Sequence, residues 1–132
     1  MGTALRRWRI LSLVLGFALF FWLPIEDLNA SLVAIFAIAI CSLAVVRILL
    51  TIQILPGSKR WLFYPLGGTI AGAAVTLVSV LLMAFKSGLH GHGSPDFTPD
   101  QVISLLQLTP LWSAAGFLIG LGTGIWLRTR PR

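Results

Sequence analysis

Two histidines and two aspartates lie close together in one polar segment, and their side chains are those best suited to bind a metal ion. His90 and His92 are separated by a single glycine, and Asp96 and Asp100 follow in the same segment. Imidazole nitrogens and carboxylate oxygens are acceptable ligands for zinc and copper. No third ligand stands at motif spacing, and aspartates are also common in turns and helix caps. Metal binding through His90 and His92 is therefore one hypothesis, with solvated histidines as the alternative, and no resident cofactor is predicted.

Signatures of catalysis are missing from the sequence. It contains no G-x-S-x-G, H-E-x-x-H, phosphate-binding loop or dinucleotide fingerprint. Cys41 is the only cysteine, so the sequence offers no intrachain disulfide, and its apolar surroundings favour a small buried side chain. Hydroxyl groups within apolar segments ordinarily bond back to their own helix. We therefore predict that the protein is not an enzyme.

The composition indicates that these residues are carried by helices in a lipid bilayer. Of 132 residues, 57% are hydrophobic and 11% are charged, whereas soluble domains carry roughly 25% charged residues. A soluble fold of this size exposes too much of its surface to hide so many apolar side chains. The formal net charge of +6 comes from basic residues dispersed among apolar runs, which argues against nucleic-acid binding.

Four apolar segments predict an all-α integral membrane protein with four transmembrane helices in two hairpins. The predicted spans are residues 9–24, 30–55, 64–85 and 110–127 of a single transmembrane domain, residues 1–132. The first span is short for a hydrocarbon core of about 30 Å, and flanking tryptophan and arginine side chains would extend it. Residues 1–30 also have the pattern of a secretory signal peptide, with a basic start, a short apolar run and a small-residue end. Retention of the first helix is the favoured interpretation.

The connection between the third and fourth spans has two parts. Residues 88–93 are rich in glycine and are predicted to leave the third helix as a flexible segment. Thr98 and Gln101 have the spacing of a capping box, with Pro99 in the first helical position. Apolar residues follow on one face, so residues 99–108 are predicted to form a short interfacial helix on the outer side of the membrane.

The distribution of charge predicts the orientation of the spans. Every basic residue except Lys86 falls at one end of a four-span bundle, together with both termini, and all four acidic residues fall at the other end. Lysine and arginine mark the cytoplasmic side, so both termini are predicted to be cytoplasmic in a plasma or bacterial inner membrane. The tryptophans are expected at the two interfaces: Trp8, Trp61 and Trp126 on the inner side, Trp22 and Trp112 on the outer side.

One ionisable residue lies inside an apolar segment. Arg47 interrupts the second span and is a candidate functional residue, because charges inside a membrane usually serve a purpose. Its long side chain can also extend to the headgroups, since it lies about two turns from the end of the segment. The second interpretation is the favoured one.

Glycines recur at every fourth position in the third and fourth spans. Gly68 and Gly72 share one helix face, as do Gly116, Gly120 and Gly124. Helices in lipid associate through close backbone packing, which such stripes permit. In an antiparallel hairpin we expect Gly68 to face Gly124, and Gly72 to face Gly120. The alternative is that the stripe of the fourth span binds another subunit.

Together these patterns predict a small, non-catalytic membrane protein. The favoured role is an accessory, assembly or structural subunit that packs against other membrane proteins or self-associates, with the lipid bilayer as its solvent. A small oligomeric channel or transporter component, with the glycine face closing a ring, is one alternative. A membrane protein that binds metal on its outer face is another.

Overall fold

A computed structural model describes residues 2–25, 29–52, 63–90 and 96–129 of the chain. These residues form five α-helices: α1 (Gly2–Trp22), α2 (Ala30–Ile52), α3 (Phe63–His90), α4 (Pro99–Gln107) and α5 (Thr109–Thr129). The predicted all-helical architecture is confirmed, and the described ranges contain no β-strand. Long apolar runs favour helices because a helix satisfies its own backbone hydrogen bonds without water. The end of the predicted second span, residues 53–55, lies outside the described residues.

Three helical segments are long and apolar enough to cross a membrane. They are Ala30–Leu49, Phe63–Leu89 and the nearly continuous Pro99–Thr129 that α4 and α5 form together. α1 is not among them, since Arg6, Arg7 and Arg9 occupy its first turns and leave only about 20 Å of apolar helix. The length and composition of these three segments are compatible with a multi-pass membrane protein.

The other helices are arranged around α3. α2 and α5 both pack extensively on α3, α1 packs on α2, and α4 contacts the later part of α3. α3 and α5 run antiparallel, because Tyr64 at the start of α3 lies against Gly120 in the second half of α5. Similarly, Trp8 near the start of α1 bonds to Leu43 in the second half of α2. α2 and α5 lie on α3 without packing extensively against each other.

α3 continues beyond the predicted end of the third span. It runs to His90 and includes Gly88, so the prediction of a flexible segment from residue 88 is wrong for its first three residues. Glycine costs only about 1 kcal/mol in a helix interior, and packing at this end offsets that cost. Ser87 accepts a hydrogen bond from the backbone N–H of Asp96 (3.2 Å), which ties the last turns of α3 to the segment before α4. Residues 91–95 lie outside the described ranges.

The capping box at the start of α4 is present as predicted. The Thr98 hydroxyl accepts from the backbone N–H of Gln101 (3.3 Å), and the Gln101 side chain accepts from the backbone N–H of Thr98 (2.9 Å). A single residue separates α4 from α5. Pro110 has no N–H to offer the carbonyl of Leu106, and the Thr109 hydroxyl donates to that carbonyl instead (2.6 Å). The chain therefore passes from α4 into α5 with little loss of helical bonding.

Two groups of buried apolar side chains hold the helices together. The Trp22 cluster joins α1, α2, α3 and α4 and contains Trp22, Val33, Met83, Phe97 and Leu105. The Ala37 cluster joins α2 to α3 and contains Ala37, Cys41 and Val75, with Trp112 of α5 packed against it. Many other large apolar side chains are exposed, which suits a surface in contact with lipid tails.

Candidate docking groove and buried lysine

A groove of about 460 Å³ runs between α2 and α5 over the surface of α3. It exists because α2 and α5 are both seated on α3 but stay apart from each other. α2 forms one wall with residues such as Ser42 and Val45, and α5 forms the other with residues such as Ala115 and Ile119. Cys41 lies in the wall formed by α2, where it is buried. The lining is almost entirely apolar, so the groove suits a partner that is itself soluble in lipid.

The floor of the groove includes a pair of small residues on α3. Gly67 and Ala71 are one turn apart, and both line the groove. A methyl group placed on Gly67 would meet no atom within 4 Å. α3 therefore carries two adjacent small-residue pairs that both line the groove: Gly68 and Gly72 also contact the backbone of α5, whereas Gly67 is open to the groove. The same four-residue spacing of Gly67 and Ala71 is visible in the sequence, although only Gly68 and Gly72 are predicted from it to pack.

The contact between α3 and α5 is made by backbone against backbone. A methyl group on Gly68 would lie 2.9 Å from the carbonyl carbon of Gly116 and 3.3 Å from the Cα of Gly120. One on Gly72 would lie 2.6 Å from the carbonyl carbon of Trp112. Only glycine fits at these positions without moving the partner helix. The stripe on α5 is thus occupied by α3 at Gly116 and Gly120.

The register of this contact differs from the predicted one by one to two turns. Gly68 lies against Gly116 instead of Gly124, and Gly72 lies beside Trp112. Gly124 is buried. Trp112 was expected at the outer end of its span, but it stands beside the middle of α3. Its indole packs against the Ala37 cluster, so it is not at an end of the bundle.

The position of α4 explains the displaced register. Leu105 of α4 and Met83 of α3 both belong to the Trp22 cluster, so α4 takes the place beside the second half of α3. α5 consequently begins only at the middle of α3. Ile103 and Leu106 are exposed, which leaves α4 with one face on the protein and apolar side chains on another.

Lys86 is fully buried, although its position at the end of an apolar run does not predict burial. Its side chain is 0% exposed, and its Nζ lies 3.9 Å from the centre of the Trp22 ring. The Trp22 ring also packs against the ring of Phe36, with 4.8 Å between their centres. A cation over an indole is attracted by the negative face of the ring, and the attraction strengthens when water is excluded. A lysine at the end of an apolar run normally extends to water, so the position of Lys86 directly after the predicted span 64–85 does not indicate burial.

Lys86 continues a buried polar stripe along α3. Thr76 and Ser79 are 2% and 1% exposed, and their spacing of ten and seven residues before Lys86 puts them on the same helix face. The Ser79 hydroxyl donates to the carbonyl of Val75 (2.8 Å). Polar residues at helical spacing inside an apolar helix were the signal that this face of α3 is buried against protein.

Arg47 reaches α1 within the bundle. Its guanidinium carbon lies 5.3 Å from the centre of the Trp8 ring, and Trp8 donates a hydrogen bond from Nε1 to the carbonyl of Leu43 (2.8 Å). The side chain of Arg47 remains exposed. The candidate residue thus forms a cation–π contact that ties the start of α1 to α2.

The candidate metal ligands are not assembled by the described part of the chain. His90 is the last residue of α3, and His92 lies outside the described residues. Asp96 is half-buried and Asp100 is exposed in the first turn of α4. Within the described ranges, no three His, Cys, Asp or Glu side chains are grouped to hold a metal ion.

Comparison with models of protein families, with curated proteins and with solved structures found no match to this chain. The helices themselves define its class, a helical protein with the apolar segments of a multi-pass membrane protein. The groove over Gly67 and the buried pair of Lys86 and Trp22 are therefore the features from which function must be inferred.

Proposed function

We propose that this protein is a non-catalytic accessory or assembly subunit of the membrane, and that its groove holds a transmembrane helix of a partner protein. The proposal rests on a groove of about 460 Å³ that is lined by Gly67, where an added methyl group would meet no atom within 4 Å. Small residues on a helix surface let a second helix approach closely, and such approach is the main source of helix association in lipid. The lack of catalytic motifs in the sequence supports a binding role.

The contact between α3 and α5 illustrates the mode of binding we propose. There, the pair Gly68 and Gly72 lets the backbone of α5 approach that of α3. The pair Gly67 and Ala71 repeats this arrangement one residue earlier on α3 and faces the groove. An apolar partner helix seated there would contact α2, α3 and α5 at once. The ring-forming channel model receives less support, because the α5 glycines it requires are in contact with α3.

In the bilayer, the proposed arrangement is four spans, formed by α1, α2, α3 and the nearly continuous α4 and α5, with both termini cytoplasmic and the capped start of α4 at the outer boundary. α1 has the shortest apolar run, and its two tryptophans make contacts with cations of other helices at both of its ends. α3 is about 42 Å long at 1.5 Å per residue, which exceeds a hydrocarbon core of about 30 Å. Its final turns would then lie at the outer interface, beside α4.

Site-directed crosslinking in native membranes tests the docking proposal. Ser42 lines the groove, whereas Ala44 is exposed on α2 but does not line it. Ser42→Cys and Ala44→Cys, each in a Cys41→Ala background, would be treated with a membrane-permeant thiol crosslinker. We expect one reproducible adduct with a membrane protein from position 42 and none from position 44.

Two glycine variants show whether the adduct depends on the groove. Gly67→Leu fills the floor, and Gly122→Leu adds the same side chain on α5, where a Cβ also meets nothing within 4 Å. The adduct should disappear with Gly67→Leu and persist with Gly122→Leu. Adducts of equal yield from positions 42 and 44, or an adduct unaffected by Gly67→Leu, would overturn the proposal. An adduct of twice the chain mass would replace the partner with a second copy of this chain.

A further inference from the structure

Arginines of α1 and α2 converge at one end of the bundle. Arg6, Arg7 and Arg9 are exposed in the first turns of α1. Trp8 stands among them and is fixed to α2 by its hydrogen bond to the Leu43 carbonyl (2.8 Å). Its ring lies 5.3 Å from the guanidinium carbon of Arg47. The fold thus adds a fourth arginine to the three of α1.

The charges of the chain are strongly segregated. All four acidic residues adjoin the opposite helix ends in the sequence: Glu26 and Asp27 between α1 and α2, Asp96 and Asp100 beside the start of α4. Like charges held together repel, and the repulsion is relieved by an anion bound among them. Guanidinium groups match the geometry of phosphate oxygens through paired hydrogen bonds. The arginine end of α1 therefore suits a phosphate-bearing ligand.

An apolar notch continues from the arginines along the same face of α1. A shallow cavity of about 350 Å³ is lined by Ser12, Leu13, Gly16, Phe17 and Phe20. Arg6 and Arg9 precede Leu13 by seven and four residues, which places them on the same helix face as the notch. A methyl group on Gly16 would meet no atom within 4 Å, so the notch is open at its centre.

We propose that this face of α1 binds an anionic phospholipid of the inner leaflet. The phosphate lies against Arg6 and Arg9, and an acyl chain lies in the notch over Gly16. Trp8 and Arg47 lie on the face of α1 toward α2 and add positive charge at this end of the bundle without lining the notch. A cationic cluster followed by an apolar notch along one helix is the order in which a phospholipid presents its headgroup and its chain. The site is separate from the groove over Gly67 and does not depend on the docking proposal.

Native mass spectrometry of the full chain in mild detergent tests this assignment. Purified protein would be mixed with equal amounts of phosphatidylglycerol and phosphatidylcholine, and the retained lipid would be measured. We expect preferential retention of one phosphatidylglycerol. Arg6→Gln/Arg9→Gln should lower the preference roughly thirtyfold, on the basis of about 1 kcal/mol for each arginine. The matched control, Arg128→Gln/Arg130→Gln, removes the same charge from the other terminus and should retain the preference.

Further variants distinguish a specific lipid-binding site from non-specific electrostatic attraction of anionic lipid. Gly16→Leu fills the notch without changing charge and should weaken retention, whereas Gly122→Leu should not. Equal retention of the two lipids by the wild type would overturn the proposal. An equal loss of lipid preference in the two double-arginine variants would also overturn it, because the attraction would then come from bulk charge. Full displacement of the lipid by glycerol phosphate would overturn it too, because the site would then bind phosphate without a lipid chain.

Discussion

The ammonium group of Lys86 lies 3.9 Å from the centre of the Trp22 indole, so a charge near the end of α3 is covered by the last residue of α1. A second cation–π contact joins the other end of α1 to α2, where Arg47 lies over Trp8. α1 makes relatively few contacts along its length, and these two contacts therefore fix both of its ends. α1, whose apolar run is the shortest among the long described helices, is thus held to the bundle through its tryptophans.

The aromatic ring of Trp22 is predicted to contribute more to the stability of the fold than its indole N–H does. Within the described residues, Trp22 Nε1 has no hydrogen-bond partner, whereas its ring faces Lys86. Trp22→Leu should lower the free energy of unfolding by about 2 kcal/mol or more, through loss of the cation–π contact and of buried area. Trp22→Phe retains an aromatic face and should cost less. Denaturant titration in mixed micelles measures both, and equal costs would contradict a role for the ring.

Alanine substitutions at two adjacent glycines of α3, Gly67 and Gly68, are predicted to have different effects on stability. Gly68→Ala places a methyl group against the Gly116 carbonyl and should destabilise the fold by about 1–3 kcal/mol through overpacking. Gly67→Ala meets no atom within 4 Å and should leave stability unchanged or raise it by up to about 1 kcal/mol, because alanine favours a helix. Thermal unfolding of the two variants in one detergent compares them directly. A loss with Gly67→Ala as large as with Gly68→Ala would count against the helix contact described above.

Phe97 is predicted to anchor the segment before α4. It is 4% exposed within the Trp22 cluster, and removing a buried phenylalanine side chain typically costs about 3–5 kcal/mol. Phe97→Ala should therefore unfold at markedly lower denaturant concentration than the wild type. Phe85→Ala is the matched control, since Phe85 is 59% exposed on α3. Similar losses in the two variants would contradict the placement of Phe97.

The capping box is predicted to protect the first turn of α4. Thr98→Ala removes the acceptor for the Gln101 N–H and should cost about 0.5–2 kcal/mol. Amide hydrogen exchange should accelerate at residues 101 and 102, with little change in α5. Ser104→Ala, an exposed change in the middle of α4, serves as the control and should not accelerate exchange there.

The proposed topology predicts that Thr98 and Thr129 lie on opposite sides of the membrane. In a Cys41→Ala background, Thr98→Cys should react with an impermeant thiol reagent added to right-side-out vesicles. Thr129→Cys should react only in inverted vesicles. Reaction of both positions from the same side would rule out a crossing by α5 and with it the four-span arrangement.

The sequence was sufficient to predict the all-helical fold and the capping box of α4, because those features depend on local patterns. Apolar runs located the long helices, and Thr98, Pro99 and Gln101 located the start of α4 from backbone bonding alone. Gly68, Gly72, Gly116 and Gly120 were recognised as small residues at helical spacing, and all four lie at the contact between α3 and α5.

Features that depend on how the helices pack against each other could not be predicted from local sequence patterns. The register of α3 against α5 depends on α4, whose place beside Met83 is a tertiary outcome. Lys86 has the position of a residue at a membrane boundary, and its burial depends on Trp22 arriving from α1. The groove likewise exists because α2 and α5 both pack on α3 without packing extensively on each other, and this cannot be predicted from the sequence of either helix alone. The four-residue spacing of Gly67 and Ala71 is visible in the sequence, but only the fold shows that both residues line the groove.

The arrangement of every other helix around α3 has a consequence for biosynthesis. α1 and α2 leave the ribosome first, yet they make far fewer contacts with each other than α3 makes with α5. Until α3 is inserted, Trp22 has no lysine beneath its ring and the Gly68 face has no counterpart. Helices in a bilayer can insert separately and associate afterwards. The first hairpin would wait in the membrane as a loose pair, and the bundle would close only when the second half of the chain has been made.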